Sequence, residues 1–426
     1  MDPSCHNTSL CIFDKQVTQS DIQKNTEVPY HPINSVSGNV PIEFHVPGAA
    51  DDYIDLNDIN LKVQLKVKKT DGKNIAAANK AALVNLGIAS LFADVAVTVG
   101  ETQIQGGEFD NPYIAYLWTL TQFQQQAQKT HLQLWGWHRD QAGKFDDNSN
   151  KAHATRMDYI AGSKVYELYG PLFIGIMRQP RLLISLTDLR IKLTRASQKF
   201  ALMVFGAEAC KVIIESATLY VKRFTVNPSV IEGHASGLEK MNALYPHLYP
   251  RLLVHTVNKD SLETLRDNIF PLQMPRSLFI AMVDHEAYSG DFKKNPFNFQ
   301  HFNLNKLVLY RNGEVVQGRV FEPDYKDDKY ADVYAWFMRS LKMYNTDDSN
   351  GISYADFKNG YNIYAYDLTP DSEVNAPHRS VSFDKGLRLE MKFKSKLTTN
   401  VNVLIFGLFD AMMEVTKTRH VTHTLR

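Results

Sequence analysis

Four short groupings in this chain bring chemically capable side chains close together. His420-Val421-Thr422-His423 offers two imidazoles that could ligate a metal. On a strand, however, that spacing sends the two rings to opposite faces, a poor arrangement for sharing one ion. The stretch from Asn345 to Asp356 (Asn345-Thr346-Asp347-Asp348-Ser349-Asn350-Gly351-Ile352, then Asp356) has the residue types of a calcium loop. Such a loop takes ligands from positions 1, 3, 5 and 12 and needs Gly at position 6 for its sharp turn. Counted from Asn345, the residues Asp347, Ser349 and Asp356 fall in place. Asn350 occupies the Gly position, and Asp356 stands where a longer, bidentate Glu is usual, so the stretch reads as a solvated acidic loop. Pro323-Asp324 with Asp327-Asp328-Lys329 carries the acids and lysine of a metal-dependent nuclease centre, but packs them into one polar loop instead of drawing them from neighbouring strands. Asp284-His285-Glu286 could do acid–base work, since His titrates near neutrality. No nucleophile stands beside it, and it reads as a structural His at a strand end.

The motifs with the strongest mechanical content are absent. There is no GxGxxG, GxxxxGK[ST], HExxH, GxSxG or CxxC, and no His-x-His pair of the kind that holds a metal in cupin-type jelly-roll enzymes. The expectation is therefore a protein that is not an enzyme, with no catalytic, cofactor-binding or metal residue to assign and no cofactor. Cys5, Cys11 and Cys210 are too few for a disulfide scaffold and fit a reducing compartment. The N-terminus lacks a basic stretch followed by an apolar core, so it does not read as a signal peptide. Without one, the sequon Asn7-Thr8-Ser9 reads as chance. The segment Lys417-Thr418-Arg419-His420 to Arg426 is mildly basic and reads as a solvated tail able to touch an acidic partner or nucleic acid.

Those residues need a framework, and its character is plain. The chain has 426 residues, 44% hydrophobic and 22% charged, with 47 Lys+Arg against 46 Asp+Glu. That is a globular composition with room for two or three domains, too neutral to be built for coating nucleic acid. No apolar stretch approaches the ~20 residues of a membrane helix. Asn60 to Lys68 alternates strictly, apolar at odd positions and polar at even ones, which makes a strand with one face buried. The pattern recurs at 189–193, 217–222 and 387–394. Arg311-Asn312-Gly313-Glu314 predicts a hairpin, because Asn-Gly suits the positive φ angles of a two-residue turn. Runs apolar throughout, Ser277 to Val283 and Val401 to Phe409, suit strands buried on both faces. Helices are expected at Asn111-Pro112 onward with Asn111 as cap, at about Tyr330 to Met343, and from Asn227-Pro228 to about Met241. Their apolar stripes read as core. Many strands and few helices indicate an all-β sandwich or barrel.

A long-range repeat adds a constraint. Gly100-Glu101-Thr102-Gln103-Ile104-Gln105-Gly106 matches Gly313-Glu314-Val315-Val316-Gln317-Gly318, with Gly100 and Gly313 lying 213 positions apart, half the chain. Each is followed by an aromatic helix, Tyr116-Leu117-Trp118 in one and Tyr334-Ala335-Trp336 in the other. Leu189–Leu193 then answers Leu387–Met391 in the same order. The repeat predicts two copies of one β-domain joined near residue 235. The 23 Phe, 20 Tyr and 4 Trp suit two large cores and an extensive protein interface.

Several segments together are similar to one family. They are Val46-Pro47-Gly48, Asp52-Tyr53-Ile54-Asp55-Leu56, Val226-Asn227-Pro228-Ser229-Val230, Lys294-Asn295-Pro296-Phe297-Asn298-Phe299, Asn350-Gly351-Ile352-Ser353, Asn359-Gly360-Tyr361 and Tyr366-Asp367-Leu368-Thr369-Pro370. In that order, over roughly residues 40–410, they resemble the major capsid proteins of polinton-like and adintovirus-type DNA elements, of the adenovirus-hexon lineage. The resemblance implies an all-β fold of two tandem eight-stranded jelly rolls with a few short helices. It also implies a homotrimer forming a pseudo-hexagonal tile of an icosahedral virion. Its partners would be neighbouring capsid trimers, penton and minor capsid proteins, with the termini in weak contact with the genome. Assembly would take place in the host cytoplasm or nucleus. It carries no catalytic residues. The expected domains are an extended N-terminal arm over 1–40, a first jelly roll over 41–226, a helical connector over 227–245, a second jelly roll over 246–415 and a tail over 416–426. The alternative is a β-sandwich attachment or carbohydrate-binding protein, or a minor vertex capsid protein.

Overall fold

The computed structural model describes residues 18–38, 40–206, 209–271, 273–347, 349–375 and 386–425. Cys5, Cys11 and the sequon at Asn7 lie outside these residues, as does Asp348 of the acidic loop.

The first half of the chain contributes strands β1 (Ile22–Tyr30), β2 (Ile42–Val46), β3 (Asp52–Lys69), β4 (Ala81–Leu83), β5 (Phe92–Val99), β6 (Thr102–Gln105), β7 (Tyr166–Pro171), β8 (Leu189–Arg195), β9 (Leu202–Val204) and β10 (Cys210–Val226). Apart from the short β4–β9 pair, they form two antiparallel sheets, ordered β1-β10-β3-β7 and β2-β8-β5-β6. The second half contributes β11 (Ala243–Val257), β12 (Glu263–Ile269), β13 (Ser277–Asp284), β14 (Leu304–Arg311), β15 (Glu314–Phe321), β16 (Ile363–Asp367), β17 (Leu387–Phe393), β18 (Val401–Val415) and β19 (Val421–Leu425). They build β11-β18-β13-β16 and β12-β17-β14-β15, with β19 added beside β18. Apart from the hairpins β5–β6 and β14–β15, which stay in one sheet, the successive strands of these four sheets switch between the two sheets of their half in the same pattern, so each half is an eight-stranded jelly roll.

The internal repeat has a topological meaning. Gly100 lies in the β5–β6 turn (φ 59°), and Asn312-Gly313 form the equivalent β14–β15 turn (φ 52° and 86°). Leu189–Leu193 and Leu387–Met391 sit on the equivalent strands β8 and β17. The alternation at 60–68 works as expected: Leu61, Val63, Leu65 and Val67 are fully buried in the core that also holds Phe44, Val97 and Ile191 of the opposite sheet, while the intervening Lys and Gln side chains reach water.

Three expectations change. Residues 22–30 do not extend as an arm: they are β1, paired with β10 from Ile22↔Val226 to Tyr30↔Leu219. This is an edge strand whose residues are nearly all solvated, so its sequence has no apolar alternation to announce it. Residues 421–425 of the expected tail are β19, paired with β18 from Ala411↔Leu425 to Val415↔Val421. In the helix Asn111–Gln122 the N-cap position falls to Asp110, whose side chain makes no capping bond. Asn111 instead sends its amide inward to the carbonyls of Ala89 (3.2 Å) and Phe92 (3.0 Å). At the connector, Asn227 does cap the helix Pro228–Leu238, accepting from the Ser229 N–H at 3.1 Å, and β11 then begins at Ala243.

Candidate functional site

The four chemical groupings do not gather into one site, and each is engaged with partners of its own. Asp284 caps the short helix His285–Ser289 and pairs with Lys294 at 3.1 Å, which also holds Glu286 at 2.7 Å. His285 turns its Nδ1 to Asn402 at 3.1 Å. Asp324 pairs with Lys394 (2.7 Å) and Asp328 with Lys358 (2.6 Å). His420 and His423 do not converge. His420 bonds through its backbone to Thr416, whereas His423 stacks on His247 of β11 (ring centroids 5.2 Å, Nε2···Nε2 3.2 Å). Among the described residues, no group of three or more His, Cys, Asp or Glu is gathered as metal ligands.

The acidic loop departs most from its reading. Asn350, standing where a calcium loop needs Gly, is fully buried. Its side chain donates to the Leu120 carbonyl (3.1 Å) and accepts from the Ile352 N–H (3.1 Å). Its own carbonyl accepts from Gln128 (3.0 Å) and Arg139 (3.3 Å). The loop is thus a bracket from the second jelly roll onto the first. Asp356 completes a capping box with Ser353 and pairs with Arg139 at 3.3 Å, so this carboxylate is already engaged.

The bracket belongs to a continuous seam between the two jelly rolls. Its dry part is aromatic. Tyr116, on the buried helix Asn111–Gln122, stacks on Phe297 with centroids 4.0 Å apart and planes within 3°, and meets Phe299 edge-on. Phe145 packs against Tyr361, over which Arg139 also lies at 4.8 Å. Rings in these geometries add specific attraction to the area they bury. Burial drives the Tyr116 and Tyr361 hydroxyls well above the ordinary phenol range, so both stay neutral.

The polar part centres on Asp140. Its Oδ1 accepts from Arg156 Nη2 and from Asn150 Nδ2, both at 2.8 Å, and its Oδ2 from Asn295 Nδ2 at 3.3 Å. Its backbone carbonyl accepts from Tyr361 Oη at 2.6 Å. Arg156 spends its remaining donors on the carbonyls of Leu83 and His138. The Asp140 and Arg156 side chains are 0% and 2% exposed, so this charge pair survives burial only because its lone pairs and protons are used. Nearby, Asp146 accepts from the Asn295 N–H (2.5 Å) and from Asn298 Nδ2 (2.8 Å). Burial raises its pKa more than these bonds lower it. Asp146 lines an open cleft of about 660 Å³ between the jelly rolls, together with Asp284, His301 and Lys358. Burial and Lys358 hold His301 down at about 4, neutral at physiological pH.

Two glycines are required by this docking. A Cβ on Gly360 (φ 110°) would come within 2.2 Å of Phe145, and one on Gly175 would meet the Leu248 carbonyl oxygen of β11 at 1.8 Å. At the far end, β19 closes the seam: Thr102 Oγ1 of β6 donates to the Val421 carbonyl at 2.6 Å.

Sequence reasoning assigned no site residues, and most of the seam had no local signal. Asp140 and Arg156 are two isolated charges in sequence. Three of the segments that carried the family resemblance, Lys294–Phe299, Asn350–Ser353 and Asn359–Tyr361, converge on the seam. Their order along the chain was legible, but not what they touch.

No family model matches the chain. An uncharacterised protein of Caenorhabditis elegans is 21% identical over 371 residues, covering 84% of this chain and 87% of that protein. Solved structures agree more closely in shape. A chain of the Sputnik virophage aligns with TM-score 0.67 at 13% identity, covering 97% of this chain and 90% of its own. The faustovirus major capsid protein gives 0.61 at 10% identity, covering 97% and 92%. The mavirus major capsid protein gives 0.57 at 10%, covering 100% and 95%. The faustovirus and mavirus chains are major capsid proteins, and the fold of this chain is the double jelly roll.

Proposed function

We propose that this protein is a structural major capsid protein whose trimers tile an icosahedral shell, with no catalytic role. The observation that carries the reading is the seam: two jelly rolls of one topology, locked side by side by the Asp140–Arg156 hub and the Tyr116–Phe297 stack, in a fold shared along nearly its whole length with capsid proteins.

The geometry has a physical use. Three copies of a two-domain chain present six similar domains, which fill a hexagonal lattice site with half the number of chains. A ring of three needs a heterologous interface that closes on itself, and obligate interfaces of that kind bury roughly 2,000 Å² or more in total. A fixed angle between the jelly rolls is a precondition, because slack inside each subunit would spread into the lattice. The seam supplies that rigidity with dry aromatic stacking and satisfied buried polar groups. Partners in this reading are two further copies within the trimer, then neighbouring trimers, penton and minor capsid proteins, with the setting a virion assembled in the host cytoplasm or nucleus. Two jelly rolls exceed the single one that a minor vertex protein needs. Among the described residues, no helix is long and apolar enough to cross a membrane.

Light scattering on the purified full chain tests the reading. The expected mass at micromolar concentration is three times that of the 48.5 kDa chain. A protein that stays monomeric under those conditions contradicts it.

A further inference from the structure

Two faces of this chain stand open to water, and each is the counterpart of a face that the seam covers. Inside the chain, the helix Asn111–Gln122 of the first jelly roll lies against the outer face of β11-β18-β13-β16 in the second. All its residues but Gln122 are buried. Tyr113 stacks on Tyr288 with centroids 5.3 Å apart. Ile114 shares a small cavity with Tyr249 and Pro250 of β11, and Thr121 shares another with Phe279 of β13.

The internal repeat identifies the open counterparts. Matching Tyr116-Leu117-Trp118 to Tyr334-Ala335-Trp336 sets Ile114 against Asp332 and Thr121 against Arg339, on the helix Ala331–Ser340. That helix buries only Val333, Phe337, Met338 and Ser340, and Asp332 and Arg339 are exposed. Against it lie Tyr344, under the Arg339 guanidinium, and Tyr354, edge-on to Tyr334; they are 47% and 38% exposed. The second counterpart is the outer face of β1-β10-β3-β7. Tyr220 of β10 stands at its middle, between Pro29 of β1 and Asn60 of β3, with the Tyr169 ring of β7 5.9 Å away. Both rings are half-buried. Tyrosine is enriched in protein interfaces, since its ring offers broad contact area and its hydroxyl tolerates water.

We propose that these two faces meet between copies: the helix Ala331–Ser340 of one chain seats on the outer face of β1-β10-β3-β7 of the next, repeating between chains the contact that the seam makes within one. The assignment rests on the trimer proposed for this protein and adds which surfaces join. A ring of three chains holds six jelly rolls and six joints. Joints of one kind throughout let the rotation built into the seam close the ring. The two sets of joints differ in chemistry for a physical reason. The joint inside the chain forms once, on folding, and is lined by Tyr113, Ile114 and Phe279. The joint between chains stands in water until copies meet, so charged and phenolic groups replace purely apolar ones there and the free subunit escapes a large exposed apolar patch.

Thiol cross-linking of co-expressed full chains tests this. One chain carries Tyr220→Cys and the other Ala335→Cys, both with Cys5→Ser and Cys11→Ser; the remaining Cys210 is buried. A short bis-maleimide is expected to join position 220 to position 335, as read by peptide mapping, with neither chain linked when expressed alone. Tyr220→Lys should also raise the concentration at which half of the protein is trimeric by about tenfold or more, the scale of losing a central interfacial tyrosine, with its circular dichroism unchanged. A wild-type chain that trimerises while the co-expressed pair gives no 220–335 link overturns the assignment and leaves the trimer standing. So do links of 220 to 220 or of 335 to 335, which would make the contact twofold, and a Tyr220→Lys chain that trimerises as the wild type does. A monomeric wild type overturns the trimer and this assignment together.

Discussion

The sheets β1-β10-β3-β7 and β11-β18-β13-β16 occupy the same place in their jelly rolls, yet their outer faces differ completely. In the first, β3 alternates strictly: Lys62, Gln64, Lys66 and Lys68 face water, and Lys62 and Lys66 pair with Glu167 (2.8 Å) and Glu215 (2.6 Å). In the second, β13 from Ser277 to Val283, β16 throughout and β18 from Val401 to Phe409 are buried on both faces. Tyr364 and Tyr366 face inward to Phe321, while Phe279 and Phe406, side by side on the other face, look toward the first jelly roll, where Phe279 shares a small cavity with Thr121 and Gln122. One topology thus yields a wet sheet and a dry one. The difference lies in what packs outside, since the first jelly roll covers the sheet of the second while its own β3 keeps one face in water. The molecule is asymmetric by construction, and its second half depends on its first.

The comparison can be broken most forcefully at the dry face. Phe406→Ala removes a fully buried ring on the side facing the seam, and thermal or denaturant unfolding should show a loss of about 3–5 kcal/mol, as for other buried Phe deletions. A loss under about 1 kcal/mol would mean that this face is not closely covered. At the polar hub, Asp140→Ala leaves Arg156 charged and unpaired in the interior, a change that costs about 3–5 kcal/mol in buried pairs. Its unfolding curve should broaden or split as the halves uncouple, which Phe406→Ala need not cause.

Acid sharpens the contrast where β19 lies against β11, at the His247–His423 pair. Burial holds His247 at about 4, against 6.5 for a free imidazole, with the backbone bond to Tyr245 opposing the shift and His423 adding to it. Burial also lowers the pKa of His423. A depressed histidine gives stability that is complete above the unfolded value of 6.5 and is lost as pH falls from there toward 4. The expected loss over that window is on the order of 1–3 kcal/mol, and it should shrink in His247→Phe. A pH profile identical to wild type in that variant would remove the pair from the account. The smallest effect belongs to the wet sheet: Lys66→Ala should cost at most about 1 kcal/mol, because its partner Glu215 stays solvated.

How much of this the sequence disclosed follows the same contrast. The alternation at 60–68 and the apolar run at 401–409 declared one wet and one dry sheet, because a side chain's surroundings leave their mark on its type. Strands β1 and β19 gave no such mark. Ile22–Tyr30 and Val421–Leu425 are mostly polar and are held by backbone pairing to β10 and β18, which any sequence can offer. The seam was the least legible part. Asn350 read as solvent-facing because its partners, Leu120, Gln128 and Arg139, lie more than 200 positions away. The duplication was visible as matched turns, strands and aromatic helices, and it located the equivalence of β5–β6 with β14–β15 correctly.

The central claim is that two locked jelly rolls make one third of a hexagonal tile. Negative-stain microscopy of the purified full chain tests it most directly. The account predicts particles of threefold symmetry with a six-lobed, hexagonal outline, alone or joined into sheets and shells. Uniform two-lobed particles of single-chain size, unchanged as concentration rises, would contradict it.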